Sequence, residues 1–179
     1  KQEWLAASKS CIDFIETHCT DIDGHLFFEV TEEGIPLRKR RYVFSECFAA
    51  IAMSEYAIAS GDKSYATKAL EMFKRILKFL STPGFLEPKY LPTLQSRGHS
   101  ITMILINTAS RIREVIEDPV LDRQINESLT SIRQYFMHPE FKALLEMVGP
   151  KGELIDTCNG RTINPGHCIE TSWFIMEEA

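Results

Sequence analysis

No apolar run in this sequence approaches the roughly 18 residues that a membrane-spanning helix needs, and no leader pattern opens it. A membrane span and secretion are both disfavoured, and a cytoplasmic protein is the expectation. Positive charge is sparse: the net charge is −5, and the one basic run, Arg38-Lys39-Arg40-Arg41, is short. Nucleic-acid binding needs a broader basic face, so the run reads as a solvated loop or a clamp on a small substrate. No Walker-type glycine loop occurs, which removes the usual phosphate cradle of a nucleotide site. The five cysteines (Cys11, Cys19, Cys47, Cys158, Cys168) are odd in number and form no Cys-x-x-Cys pair. Reduced thiols are the better reading.

What is present suffices for a core. The chain has 179 residues and is 44% hydrophobic, enough for one domain over 1–179. It begins with Lys rather than Met and stops inside an apolar helical pattern (Trp173, Phe174, Met176). The expectation is a partial domain, cut at both ends.

Helical spacing runs through Trp4, Leu5, Ile12, Phe14 and Ile15. The turn signal Asp21-Ile-Asp-Gly24 follows. His25–Val30 and Ile35–Leu37, around Thr31–Gly34, then read as a short hairpin. From about Val43 to Ser60 a helix is apolar almost all round, which marks it as buried on more than one side. Gly61 ends it and Asp62 can cap the next helix. That helix carries one apolar stripe, Tyr65, Ala69, Leu70, Phe73, Ile76, Leu77 and Leu80, with Lys68, Glu71, Lys74 and Lys78 opposite.

The inner-then-outer pattern repeats. Residues 100–116 are again apolar on most faces. Asp118-Pro119 starts a helix with the stripe Leu121, Ile125, Leu129, Ile132 and Phe136. A second hairpin is expected from Leu144–Val148 and Glu153–Ile155 around Gly149–Gly152. A third inner helix begins near Gly166. Inner helices starting near 43, 99 and 166, about 55–65 residues apart, describe an all-α helical repeat with short hairpins at one end. A closed double ring of helices satisfies an inner helix buried all round. An open solenoid is the competing architecture.

The most informative stretch is Asn164-Pro-Gly-His-Cys-Ile-Glu170. Pro165 and Gly166 can end an extended segment and start a helix at once. His167 and Glu170, three apart, then share a face in its first turn. Imidazole titrates near neutral pH and a carboxylate can be tuned toward it, so the pair suits proton transfer. Cys168 is a weaker nucleophile candidate, because a neighbour one residue on points away from His167.

Gly160-Arg161-x-x-Asn164-Pro-Gly-His-Cys-Ile-Glu170-x-x-Trp173-Phe174 resembles the corresponding stretch of the N-acylglucosamine 2-epimerase family, known in mammals also as renin-binding protein. Arg41 with Phe44-Ser-Glu-Cys-Phe48 resembles another part of the family, as does Met103-Ile-Leu-Ile-Asn107. The likeness runs in order from about residue 20 to the end. Cellobiose 2-epimerases are similar too, but usually lack Asn-Pro before Gly-His. The resemblance implies an (α/α)6 barrel, here about three helix pairs. It also implies interconversion of N-acetylglucosamine and N-acetylmannosamine by moving a proton at carbon 2 of the open-chain sugar. By resemblance His167 is one of two catalytic histidines and Glu170 the carboxylate that supports it. The second histidine lies beyond this sequence, so the piece alone is expected to be inactive. No metal or nicotinamide is required by the chemistry. ATP modulation and a homodimer are family expectations.

Five further residues are candidates for binding substrate: Arg41, Glu46, His99, Arg161 and Asn164. Glu46 sits on an almost wholly apolar helix, where a carboxylate is seldom left unpaired. It either pairs with Arg41 or lines the sugar cleft. Arg41 fits a sugar hydroxyl or an enediolate oxygen, or an exposed basic loop. His99 precedes an inner helix, and Arg161 and Asn164 hold the loop before His167. His25 and His138 read as turn histidines with no partner, and Trp173 and Phe174 as core. The partner is a small sugar, with mannose or cellobiose as the alternative substrates. A non-catalytic helical-repeat interaction protein is the alternative of a different class.

Overall fold

Helix ends fall where the sequence supplies caps. In the computed structural model, which describes residues 1–179, α1 spans Gln2–His18, α2 Phe44–Ser60, α3 Ser64–Ser81, α4 His99–Arg113, α5 Pro119–Ser131 and α6 Pro165–Glu178. Gly61 closes α2 in the left-handed region (φ 78°), donating its N–H to Ala57. Asp62 accepts the N–H of Ser64 as α3 begins. Asp118 accepts the N–H of Val120, with Pro119 in the first turn of α5. No helix is long and apolar enough to cross a membrane. The chain forms two compact units, residues 1–88 with 111–117 and residues 89–110 with 118–179.

In the first unit α2 packs against both α1 and α3. Its buried residues are small or polar as well as apolar: Glu46, Cys47, Ala49, Ala50, Met53, Ser54 and Ala57. The expected all-round burial is incomplete, because Phe48, Ala52, Glu55 and Ile58 lie exposed along one stripe. On α3 the buried stripe is Tyr65, Ala66, Ala69, Leu70, Met72, Phe73, Ile76 and Phe79. It bends away from the sequence expectation at its end, where Phe79 goes in and Leu80 stays out.

The first hairpin forms as expected, with β1 (Phe27–Val30) antiparallel to β2 (Pro36–Lys39). The basic run is part of it rather than a free loop. Arg38 and Arg40 lie over the Phe28 ring, each 4.6 Å from its centroid. Lys39 reaches Asp21 and Asp23 at 2.6 Å each.

His25 anchors this hairpin to α2, which overturns its reading as a partnerless turn residue. The ring is 3% exposed and Glu46 is fully buried. His25 Nδ1 pairs with Glu46 Oε1, and its Nε2 lies 2.7 Å from the Arg40 carbonyl oxygen. The same Glu46 oxygen accepts the Leu26 N–H at 2.5 Å. Both ring nitrogens face acceptors, so both donate, and the ring is held as imidazolium. Burial pulls the His25 pKa down, but the Glu46 carboxylate and the Arg40 carbonyl outweigh it and hold it above the ordinary histidine value.

In the second unit α5 continues into a π-helical turn, Ile132–Phe136. Short strands follow: β4 (Met137–His138), β5 (Ala143–Leu144) and β6 (Met147–Val148), with β3 (Arg97–Gly98) standing just before α4. The second expected hairpin does not form. Leu144 pairs back to Met137 and Val148 pairs with Arg97, so β6 takes its partner from far upstream. Gly149 does turn tightly onto Glu153. The residues beyond stay out of any ladder, and Leu154 is exposed with nothing to bury it. One core cluster joins Met103 and Ile106 of α4, Ile132 and Phe174 of α6. A second joins Phe136, Leu145 and Val148.

The His25–Glu46 pair generates a prediction with a definite sign. A raised folded-state pKa contributes stability that is complete below the unfolded histidine value near ~6.5 and is lost as pH rises through the folded value. Urea midpoints should therefore fall from pH 6 towards pH 9, and His25→Asn should flatten that dependence. Glu46→Ala leaves a buried imidazolium unpaired and should cost about 3–5 kcal/mol.

Candidate active site

Asn164 starts α6 from an extended conformation, its side-chain oxygen accepting the His167 N–H at 3.3 Å. Pro165 and Gly166 make up the rest of the first turn, where a missing N–H and a missing side chain cost little. His167 is thereby fixed in the first turn, with about a third of its side chain open to solvent.

The carboxylate that meets His167 is Glu146. Both of its oxygens lie 2.9 Å from His167 Nδ1. Glu146 stands between β5 and β6, and its main-chain oxygen accepts the His99 N–H at 3.0 Å. That bond continues the β3–β6 pairing and sets the first residue of α4 beside Glu146. The His99 ring is fully buried and tilts 60° to the Phe136 ring at 5.4 Å.

Thr171, one turn along α6, fixes the protons. Its hydroxyl donates to the His167 carbonyl oxygen at 2.7 Å and sits 3.1 Å from His99 Nε2. A hydroxyl has one hydrogen, so towards His99 it accepts, and His99 carries its proton on Nε2. His99 Nδ1 then faces Glu146 at 3.7 Å, beyond hydrogen-bond reach, and has no other partner. On the other side Glu146 accepts, so His167 donates from Nδ1, and its Nε2 is left without a partner in the protein. Burial works to raise the Glu146 pKa, but its histidine surroundings outweigh it and hold the carboxyl below its ordinary range, with His167 supplying the N–H that both oxygens share.

The other candidates separate. Glu170 is exposed on α6 and makes no hydrogen bond to His167. At i+3 it shares a helix face with His167, but that face opens to solvent there. Asn164 acts as the helix cap. Arg161 pairs with Asp156 on the surface, both well exposed. Arg41 and Glu46 belong to the other unit, and they do not pair with each other. Arg41 donates to the Pro88 carbonyl at 3.3 Å, and Glu46 is buried on His25. Cys168 turns its sulfur towards the Leu144 carbonyl at 3.8 Å. Glu146 and Thr171 escaped the sequence reading. The signal for Glu146 was a lone carboxylate in the apolar run Ala143-Leu-Leu-Glu-Met-Val148, which demands a buried partner. His99, Glu146 and His167 each bring one donor atom within 4.8 Å of the others, a set able to hold a metal ion.

The sequence model of the N-acylglucosamine 2-epimerase (GlcNAc 2-epimerase) family matches residues 1–179. N-acylglucosamine 2-epimerase of Bos taurus is 29% identical over 155 residues, 85% of this chain and 37% of the bovine protein. Cellobiose 2-epimerase of Ruminococcus albus is 32% identical over 77 residues, 42% of this chain and 20% of that protein. Among solved structures, cellobiose 2-epimerase of Bacillus thermoamylovorans superposes with a TM-score of 0.83 at 18% identity, over 99% of this chain and 49% of that one. That of Spirochaeta thermophila gives 0.78 at 19% identity, over 99% and 47%. The matches thus span between about a fifth and a half of the length of these relatives. The fold they share with it is the (α/α)6 barrel.

The cap at the start of α6 is testable by itself. Asn164→Ala should cost about 1 kcal/mol, read from urea midpoints, while Asn164→Asp should recover most of it.

Proposed function

The chain belongs to the N-acylglucosamine 2-epimerase family, and from that premise we propose that it serves a sugar 2-epimerase, with His167 as one of the groups that move the proton at carbon 2. The observation that carries this reading is the placement of His167: Nδ1 is committed to Glu146, and Nε2 is left without a protein partner on a partly open side chain. A proton next to the carbonyl of an open-chain sugar is weakly acidic. Its removal needs a base of fixed tautomer within hydrogen-bond reach. Glu146 fixes the tautomer and stabilises the imidazolium that forms when Nε2 takes the proton. Inverting carbon 2 requires return of a proton to the opposite face by a second acid, for which we assign no residue of this chain. We read Glu170, exposed one turn further along α6, as a contact for a sugar hydroxyl rather than as the group that holds His167.

Between substrates, we favour N-acetylglucosamine and N-acetylmannosamine. The bovine relative named for N-acylglucosamine aligns over 85% of this chain, and the R. albus relative named for cellobiose over 42%. Mannose or cellobiose is the second reading, and the cellobiose relatives supply its basis.

The test is hydrogen exchange at carbon 2 in deuterated water, with the intact protein and N-acetylmannosamine, mannose or cellobiose. Exchange with N-acetylmannosamine is expected, and no exchange with any of the three would sink the reading. His167→Ala should lower the rate by about 10²–10⁴-fold with little change in melting temperature. Glu146→Gln should reduce kcat more than it alters KM.

A further inference from the structure

We propose that His99, Glu146 and His167 also form a binding site for a divalent transition-metal ion, Zn2+ in preference to Mg2+, and that the bound metal switches the site off. The donor set is two imidazoles and one carboxylate, which suits Zn2+, Co2+ or Ni2+ and suits Mg2+ or Ca2+ poorly. Ligand atoms around a tetrahedral Zn2+ with bonds of about 2.0–2.2 Å stand roughly 3.3–3.6 Å apart. Here Glu146 oxygen lies 2.9 Å from His167 Nδ1 and 3.7 Å from His99 Nδ1, on either side of that spacing. The widest gap within the trio is no more than 4.8 Å, so small side-chain rotations suffice.

The independent observation is His99. Its ring is fully buried, yet Nδ1 has no hydrogen-bond partner and points at the carboxylate. The opposite nitrogen, Nε2, donates to Thr171, whose own hydrogen is committed to the His167 carbonyl. That is the arrangement in which a metal-binding histidine is usually held: one ring N–H on a second partner, the other nitrogen presenting its lone pair. A buried imidazole nitrogen without a partner is otherwise costly. The partly open His167 and Glu146 side chains provide the entry side, at 33% and 20% exposure.

Occupation has a consequence at His167. A metal on Nδ1 replaces the proton now shared with Glu146, and that proton reappears on Nε2 through solvent, with no net charge change on the ring. Nε2 then has no free lone pair. The inhibition rests on the proposed reaction, whereas the binding does not.

The experiment is titration of the intact protein with Co2+, followed by its visible d–d absorption. Expected are one Co2+ per chain, displacement by Zn2+ and no displacement by excess Mg2+. Glu146→Gln, which keeps the side-chain shape, and His99→Asn should each weaken binding by at least about tenfold. Absence of a Co2+ band, or equal binding by wild type and a folded Glu146→Gln, overturns the site. If His99→Asn fails to fold, Glu146→Gln decides alone. Zn2+ should also stop carbon-2 exchange, and a chelator should restore it. Metal binding without inhibition would refute Nε2 as the base while leaving the site standing. Failure of all sugars to exchange would refute the reaction, and the Co2+ titration would still judge the site.

Discussion

The carboxylate of Glu146 is the constraint on which the candidate site depends. It lies where two imidazoles converge, accepts the proton of one and faces the bare nitrogen of the other. His167 holds its Nδ1 proton on this carboxylate, while Thr171 holds the proton of His99 on the opposite nitrogen. A carboxylate at this depth must itself be stabilised, and the N–H of His167 against both oxygens works to keep it ionised against the cost of burial. The main chain makes the arrangement rigid. The Glu146 carbonyl takes the His99 N–H, and Thr171 ties the His99 ring to the carbonyl of His167. Each of the three residues is thus located by a bond to one of the others.

A comparison of the two histidine–carboxylate pairs shows why similar chemistry has different uses. At His25 both ring nitrogens meet acceptors inside the protein, and the carboxylate is fully buried. Such a ring has no lone pair to offer and no route to a substrate. It is a fastener between the first hairpin and α2. At His167 one nitrogen is held and the other is free, on a side chain a third exposed. The decisive difference is what the second nitrogen faces, not the presence of a carboxylate.

Local signals in the sequence were good guides to local structure. Gly61, Asp62, Asp118-Pro119 and Asn164-Pro165 each mark a helix boundary through a backbone group that the residue satisfies or removes. The amphipathic stripe of α3 could be read because one face is buried along its whole length. The helix starting with His99 was legible for a different reason, a run apolar on most of its faces. Where partners come from far along the chain, the sequence was silent. Val148 pairs with Arg97 and not with the residues just past the Gly149 turn. His25 meets Glu46 across 21 residues, and Glu146 meets His167 across 21 as well. Nothing in residue spacing encodes such a meeting. Only the cost of an unpaired buried charge hints that one must exist.

Helix spacing, together with the family resemblance, made Glu170 look like the natural companion of His167. Residues three apart on a helix are neighbours on its surface, and a carboxylate there can stabilise a cation through water. To fix a ring tautomer asks for more: an acceptor in the ring plane, close to one nitrogen and shielded from solvent. A side chain on the same helix turn runs alongside the ring and is itself washed by solvent, as the exposure of Glu170 shows. An acceptor from a separate segment can approach end-on, and Glu146 does so with both oxygens. The geometry leaves Glu170 free for whatever occupies the open side, and it assigns the control of His167 to the segment that also positions His99.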